Sequence, residues 1–148
     1  MKLKIIFHNI PQWKWEYIQA DFKHFFAEMK FQTILFMEKL RKNKGLQARI
    51  INRLKQTKTF GGQFTTLELT IEGIASMDLG EVYFEEENNK KIVFFEMNQF
   101  YFDIIDAIKT GGGSLWGFAL MDEKSLIKEF SKAFRKNITH QFQIIKLD

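Results

Sequence analysis

Apolar residues recur along this chain first as a strand and then with helical spacing. Lys2–Phe7 is a short apolar run, stopped by His8 and Asn9, and reads as a first strand. Pro11 presets the backbone for a helix start. Ile18, Phe22, Phe25, Phe26 and Met29 then fall at i, i+4, i+7, i+8 and i+11, the stripe of an amphipathic helix over about 12–30. A second apolar segment, Phe31–Leu40, ends at Asn43-Lys44-Gly45, where glycine permits a left-handed turn at a helix C-terminus. Leu46, Ile50, Ile51 and Leu54 continue helically to about Gln56. Within this stretch, Thr33–Glu38 and Leu46–Leu54 also fit two strands of a hairpin, so residues 32–58 admit both readings.

The pattern changes near Gly61-Gly62. Leu67, Leu69 and Ile71 alternate with Glu68, Thr70 and Glu72, which is strand periodicity. Glu81–Glu87 and Lys91–Met97 form two β-rich runs joined through Asn88-Asn89-Lys90, a hairpin. Asn98 suits the N-cap of a helix over Gln99–Lys109, with Tyr101, Ile104, Ile105 and Ile108 inward. Gly111-Gly112-Gly113 breaks the chain, and Leu115–Met121 reads as a strand. Asp122 suits the cap of a helix with Leu126, Ile127, Phe130 and Phe134 on its apolar face. Phe142, Ile144 and Leu147 suggest a last strand. The order predicts one α+β domain over 1–148, helices packed on a mostly antiparallel sheet. Its helix-rich, basic part is about 1–60 and its strand-rich, acidic part about 61–148.

Composition narrows the chemistry. The chain has 148 residues, 45% of them hydrophobic, including 17 phenylalanines, so core material is ample. With no cysteine there is no disulfide scaffold, thiol nucleophile or cysteine zinc site, and a reducing, cytoplasmic setting fits. The apolar start is too short for a signal peptide, and no stretch approaches the roughly 20 apolar residues of a membrane span. Asn137-Ile138-Thr139 matches the glycosylation pattern by chance if the chain is not secreted.

The net charge of +4 hides three zones: +9 over residues 1–60, −9 over 61–123 and +4 over 124–148. If the helices cover one face of the sheet, the molecule is electrostatically bipolar. The densest basic run is Lys39, Arg41, Lys42, Lys44, Arg49, Arg53, Lys55 and Lys58. On a helix, Arg49, Arg53 and Gln56 share a face that can follow phosphates. The flanking Phe31, Phe36 and Phe60 sit at core-like spacing rather than as exposed stacking platforms. The densest acidic group is Asp78, Glu81, Glu85, Glu86 and Glu87, supported by Glu96, Asp103 and Asp106. Neighbouring strand residues point to opposite faces and the calcium-loop spacing is absent, so no metal or other cofactor is expected.

Catalytic patterns are missing. His8, His24 and His140 form no metal-binding spacing, and His24, beside the apolar stripe, reads as structural. No serine lies in G-x-S-x-G. Thr110-Gly111-Gly112-Gly113-Ser114 runs from helix to strand, the wrong polarity for a phosphate loop. Trp13 and Trp15 are about 200° apart on a helix, so one of Trp13, Trp15 and Tyr17 is partly exposed.

The hairpin Glu81–Met97, the segment Asn98–Lys109 and GGGSLWGFALMDEKSLIKEFSKAF at Gly111–Phe134 together resemble small bacterial immunity proteins that neutralise delivered toxins. The resemblance implies a non-enzymatic inhibitor and carries over no site residues. On that reading Asp78, Glu81, Glu85, Glu86 and Glu87 meet a basic, nuclease-like protein in place of its phosphates. The alternative is a nucleic-acid-binding accessory protein using Lys42, Lys44, Arg49, Arg53 and Lys55. An enzyme working through carboxylates or histidine is the third, and nothing in the sequence selects a carboxylate pair.

Overall fold

The computed structural model describes residues 1–60, 62–137 and 141–148. Gly61 lies outside them, as do Ile138, Thr139 and His140, and with these the Asn-X-Thr triplet and the third histidine. The elements run β1 (Lys2–His8), α1 (Gln12–Lys39), a 3₁₀ turn (Leu40–Lys42), α2 (Lys44–Lys55), α3 (Leu67–Ser76), β2 (Gly80–Glu87), β3 (Lys90–Met97), α4 (Gln99–Thr110), α5 (Glu123–Asn137) and β4 (Phe142–Lys146). The fold is α+β, with an antiparallel sheet of order β2-β3-β1-β4. It divides into two compact units, 1–26 with 80–97 and 123–148, and 27–79 with 98–122.

The first unit holds the sheet, the start of α1 and α5. Cross-strand register puts Val82, Phe95 and Leu3 on one face, and likewise Phe84, Val93, Ile5 and Ile144. That face meets the helices. Phe22, Phe25 and Phe26 of α1 and Phe130 of α5 surround the ring of Phe95 at 5.2–5.9 Å, mostly tilted or edge to face. Phe134 packs edge-on against Phe7 and Phe142, and Trp15, fully buried, against Phe7 and Phe84. Gly80 must lack a side chain: a Cβ there would lie 2.1 Å from the Glu96 carbonyl oxygen and 2.5 Å from the Phe26 ring.

The second unit is helical among its described residues. Its part of α1 buries Met29, Thr33, Phe36 and Met37, and the Thr33 hydroxyl donates to the Met29 carbonyl at 2.7 Å. Tyr101 of α4 is buried. Its hydroxyl donates to Met29 Sδ (3.7 Å) and accepts from the Met121 N–H (3.2 Å), and burial pushes the phenol up.

Several expectations need correction. The first helix does not stop at Lys30: the buried stripe runs on through Thr33, Phe36, Met37 and Leu40, leaving Phe31 outside. Residues 44–55 are helical, not a hairpin strand. Asn43 does not end a helix with Gly45 but starts one, its side chain accepting from the Leu46 N–H at 3.0 Å. Leu67–Glu72 is helix rather than strand. Thr66 caps it by accepting from the Leu69 N–H, and Leu67, Thr70 and Ile74 are buried at i, i+3 and i+7 while Leu69 is exposed. The Thr70 hydroxyl answers to the Thr66 carbonyl, which lets a polar residue fill the core-facing position. Leu115–Met121 is loop, because Gly112 and Gly117 take left-handed φ (92° and 86°) and turn the chain before it can pair. Asn98 does precede α4, yet its side chain donates to the Asp78 carbonyl instead of capping. Leu147 falls just beyond β4.

Removing the ring at the centre of the first unit tests this packing. Phe95→Ala should cost about 3–5 kcal/mol, read as a lower denaturant midpoint with an unchanged slope.

Candidate partner-binding surfaces

Strand alternation decides where the glutamates of β2 go. Glu81, Tyr83, Glu85 and Glu87 share the face turned away from α1 and α5, with Lys90, Ile92, Phe94 and Glu96 of β3 and Lys2, Lys4, Ile6 and His8 of β1. Glu86 falls on the helix-covered face. It accepts from Trp15 Nε1 at 2.8 Å and pairs with Lys91 at 3.4 Å, so it is engaged within the chain while its side chain stays half-exposed. Asp78 belongs to the second unit. Of the acidic set, Glu81, Glu85 and Glu87 thus share one face of β2, Glu86 lies on the other, and Asp78 precedes the strand.

Tyr83 stands among these three carboxylates. It is 55% exposed and stacks on Phe94 at 4.8 Å and 15°. Lys4 Nζ lies 5.7 Å from the centre of the Phe94 ring, and Lys2 pairs with Glu96 at 3.9 Å. Two of the lysines on this face are therefore engaged. Glu81, Glu85 and Glu87 form no ion pair among the described residues. Because β2 is an edge strand, the backbone groups on its outer side have no sheet partner. Tyr83 was legible in the sequence as the residue in period-two register between Glu81 and Glu85.

The basic residues belong mainly to the second unit. Arg41 is not free: it bonds Glu38 at 2.6 Å and grips both carboxylate oxygens of Glu68, one of them at 2.8 Å. These hydrogen bonds raise the Arg41 guanidinium and hold both carboxyls below their ordinary value. Arg49 Nε donates to the Gly111 carbonyl at 2.9 Å. Lys42 sits on the 3₁₀ turn and Arg53 on the exposed side of α2. Of the expected row Arg49, Arg53 and Gln56 only Arg49 lines a concave surface, together with Lys44, Ala48, Asn52 and Lys55. With Thr65–Leu67 these residues border an open groove of about 610 Å³.

The long-range charge pattern also changes. The basic zone 1–60 and the acidic zone 61–123 are each divided between the two units, and each unit carries +2. The bipolar molecule expected from the sequence does not follow from this division. His24 is exposed on α1 rather than packed, and Trp13 and Tyr17 are exposed where Trp15 is buried. Among the described residues no three His, Asp or Glu side chains gather as metal ligands, and no helix is long and apolar enough to cross a membrane.

The Arg41 clamp predicts a pH dependence. Both carboxyls are depressed in the folded state, so the stability they contribute is present above the ordinary value of 4.5 and is lost as pH falls through their folded values. Arg41→Met should lower the melting temperature at neutral pH, and the difference from the parent should shrink and vanish as acid protonates both carboxyls.

No protein-family model, curated protein or solved structure matches the chain.

Proposed function

We propose that this chain is a non-catalytic protein-binding module that docks a basic partner on the open face of β2, in the manner of the toxin-neutralising immunity proteins its 81–134 segment resembles. One observation carries the reading: an exposed tyrosine, Tyr83, flanked two residues to each side by the unpaired carboxylates of Glu81 and Glu85 on an edge strand. Residues two apart on a strand are about 7 Å apart on the same face. A lysine or arginine laid on the Tyr83 ring would thus have a carboxylate on either side. Cation–π contact at an exposed site contributes about 0.5–1 kcal/mol. Carboxylates mainly speed encounter, and the steering weakens with salt. Phe94 behind Tyr83 holds the ring in place before a partner arrives, which limits the entropy lost on docking. Glu87 extends the acidic rim to the hairpin end, where Asn88 takes a left-handed turn (φ 49°).

The test is capture of a partner from the native host on the immobilised chain, followed by association kinetics across salt. A basic protein should bind one to one. The Glu81→Lys/Glu85→Lys variant should slow association roughly tenfold or more at low salt, and Tyr83→Ala should speed dissociation. Wild-type rates in both variants, or a partner without a basic surface, would refute the proposal. For the neutralising role, the partner expressed alone should arrest growth. Co-expression of the wild-type chain should relieve the arrest, and co-expression of the double variant should not.

A further inference from the structure

We propose that the groove along α2 is a binding site for single-stranded nucleic acid, in which Lys44 and Lys55 hold phosphates and Trp116 stacks a base. The groove lies wholly in the second unit and is independent of the β2 surface. Among its lining residues are three cations, two side-chain amides and two threonines, and no carboxylate. Lys44 and Lys55 are both exposed on α2 and eleven residues apart, a rise of about 16 Å. That span suits a chain of phosphates better than one small anion. Ala48, Ile51 and Leu67 supply an apolar floor for sugars and base edges. The opposite wall is the N-terminal end of the ten-residue α3, where Glu68 of the first turn offsets the positive helix end and is itself gripped by Arg41.

The aromatic component comes from the glycine loop. Arg49, on the groove wall, fixes the start of that loop through the Gly111 carbonyl. Phe118 fixes its far side, packed edge-on against Phe36 at 5.2 Å, with Lys39 Nζ over its ring at 4.7 Å from the centre. Between these anchors Trp116 is 91% exposed, its backbone N–H donating to the Ser114 hydroxyl. Gly111 and Trp116 are five residues apart, within about 17 Å even at full extension. A large exposed ring on a loop whose first residue is held by a groove-lining arginine is a combination suited to unpaired bases. A duplex keeps its bases stacked and offers Trp116 no face, so the site selects single strands. A bilayer is the poorer fit, because the groove is concave and edged with amides and hydroxyls.

Fluorescence anisotropy of a labelled single strand of about twelve nucleotides decides the matter. At about 50 mM salt the strand should bind, and more weakly at about 200 mM. Lys44→Glu/Lys55→Glu should weaken binding at least about tenfold and flatten the logarithmic salt slope by about 1.4. Trp116→Ala should weaken it about five- to hundredfold with the slope unchanged. Glu81→Lys/Glu85→Lys, which changes none of the groove's lining residues, should leave affinity within about twofold. If the charge reversal impairs folding, as circular dichroism would show, Lys44→Gln/Lys55→Gln should give the same loss in smaller measure. No binding at low salt, or undiminished binding in the lysine variants, overturns the proposal. So does equal affinity for a duplex, or displacement of the strand by equimolar pyrophosphate, which would mark a small-anion site. Full affinity in Trp116→Ala overturns the stacking role.

Discussion

The uninterrupted apolar stripe of α1 is the constraint on which the other elements depend. Trp15, Ile18 and Phe22, then Met29, Thr33, Phe36 and Met37, bury one side of a 28-residue helix. In the first unit the stripe provides the phenylalanines that enclose Phe95. In the second it provides the sulfur that meets the Tyr101 hydroxyl and the ring behind the glycine loop. The apolar face of α1 therefore contributes to two cores. Breaking the helix at Lys30, as its local sequence allows, would leave Thr33, Phe36 and Met37 without the register that buries them. Thr33 fits because its hydroxyl returns to a carbonyl of its own helix, so a buried polar group carries no unmet hydrogen bond.

Both candidate surfaces follow from simple geometry applied to charged residues. Alternation along β2 separates three consecutive glutamates: Glu85 and Glu87 to the open face, Glu86 to Trp15 and Lys91. What begins as a run of like charge becomes an acidic rim with an aromatic between carboxylates. On α2 the helical period separates the basic run in the same way. Arg49 turns to the glycine loop, while Lys44 and Lys55 face an open groove. Arg41, the residue that looked equally free in the sequence, is neutralised by Glu38 and Glu68 from elements on either side. In each case the surface is defined by which charges remain unpaired after folding.

Much of this was legible in the chain itself. The strand Lys2–His8, the hairpin through Asn88-Asn89, the buried face of α4 and the amphipathic α5 all show their periods within a few residues of one another. Such periods report the contact a segment must make, whatever it meets. Leu67–Glu72 misled because Leu67, Leu69 and Ile71 satisfy a period of two, while Leu67, Thr70 and Ile74 satisfy a helix. The cap from Thr66 and the self-satisfied hydroxyl of Thr70 decided between them. Leu115–Met121 misled because a run of apolar residues becomes a strand only if a neighbouring strand is there to receive its hydrogen bonds.

The sequence by itself determined the amphipathic periods, the turn chemistry and the absence of cysteine chemistry, since these depend on residues near one another in the chain. Only the tertiary structure decided that α1 runs unbroken, that Glu86 and Arg41 have partners within the chain, and that Tyr83 and Trp116 stand exposed. Those outcomes depend on contacts such as Trp15 with Glu86, Arg41 with Glu68 and Arg49 with Gly111, which join residues 27 to 71 positions apart. Local pattern carries no record of such distant partners, because whether a charge or ring stays free depends on what folding brings beside it.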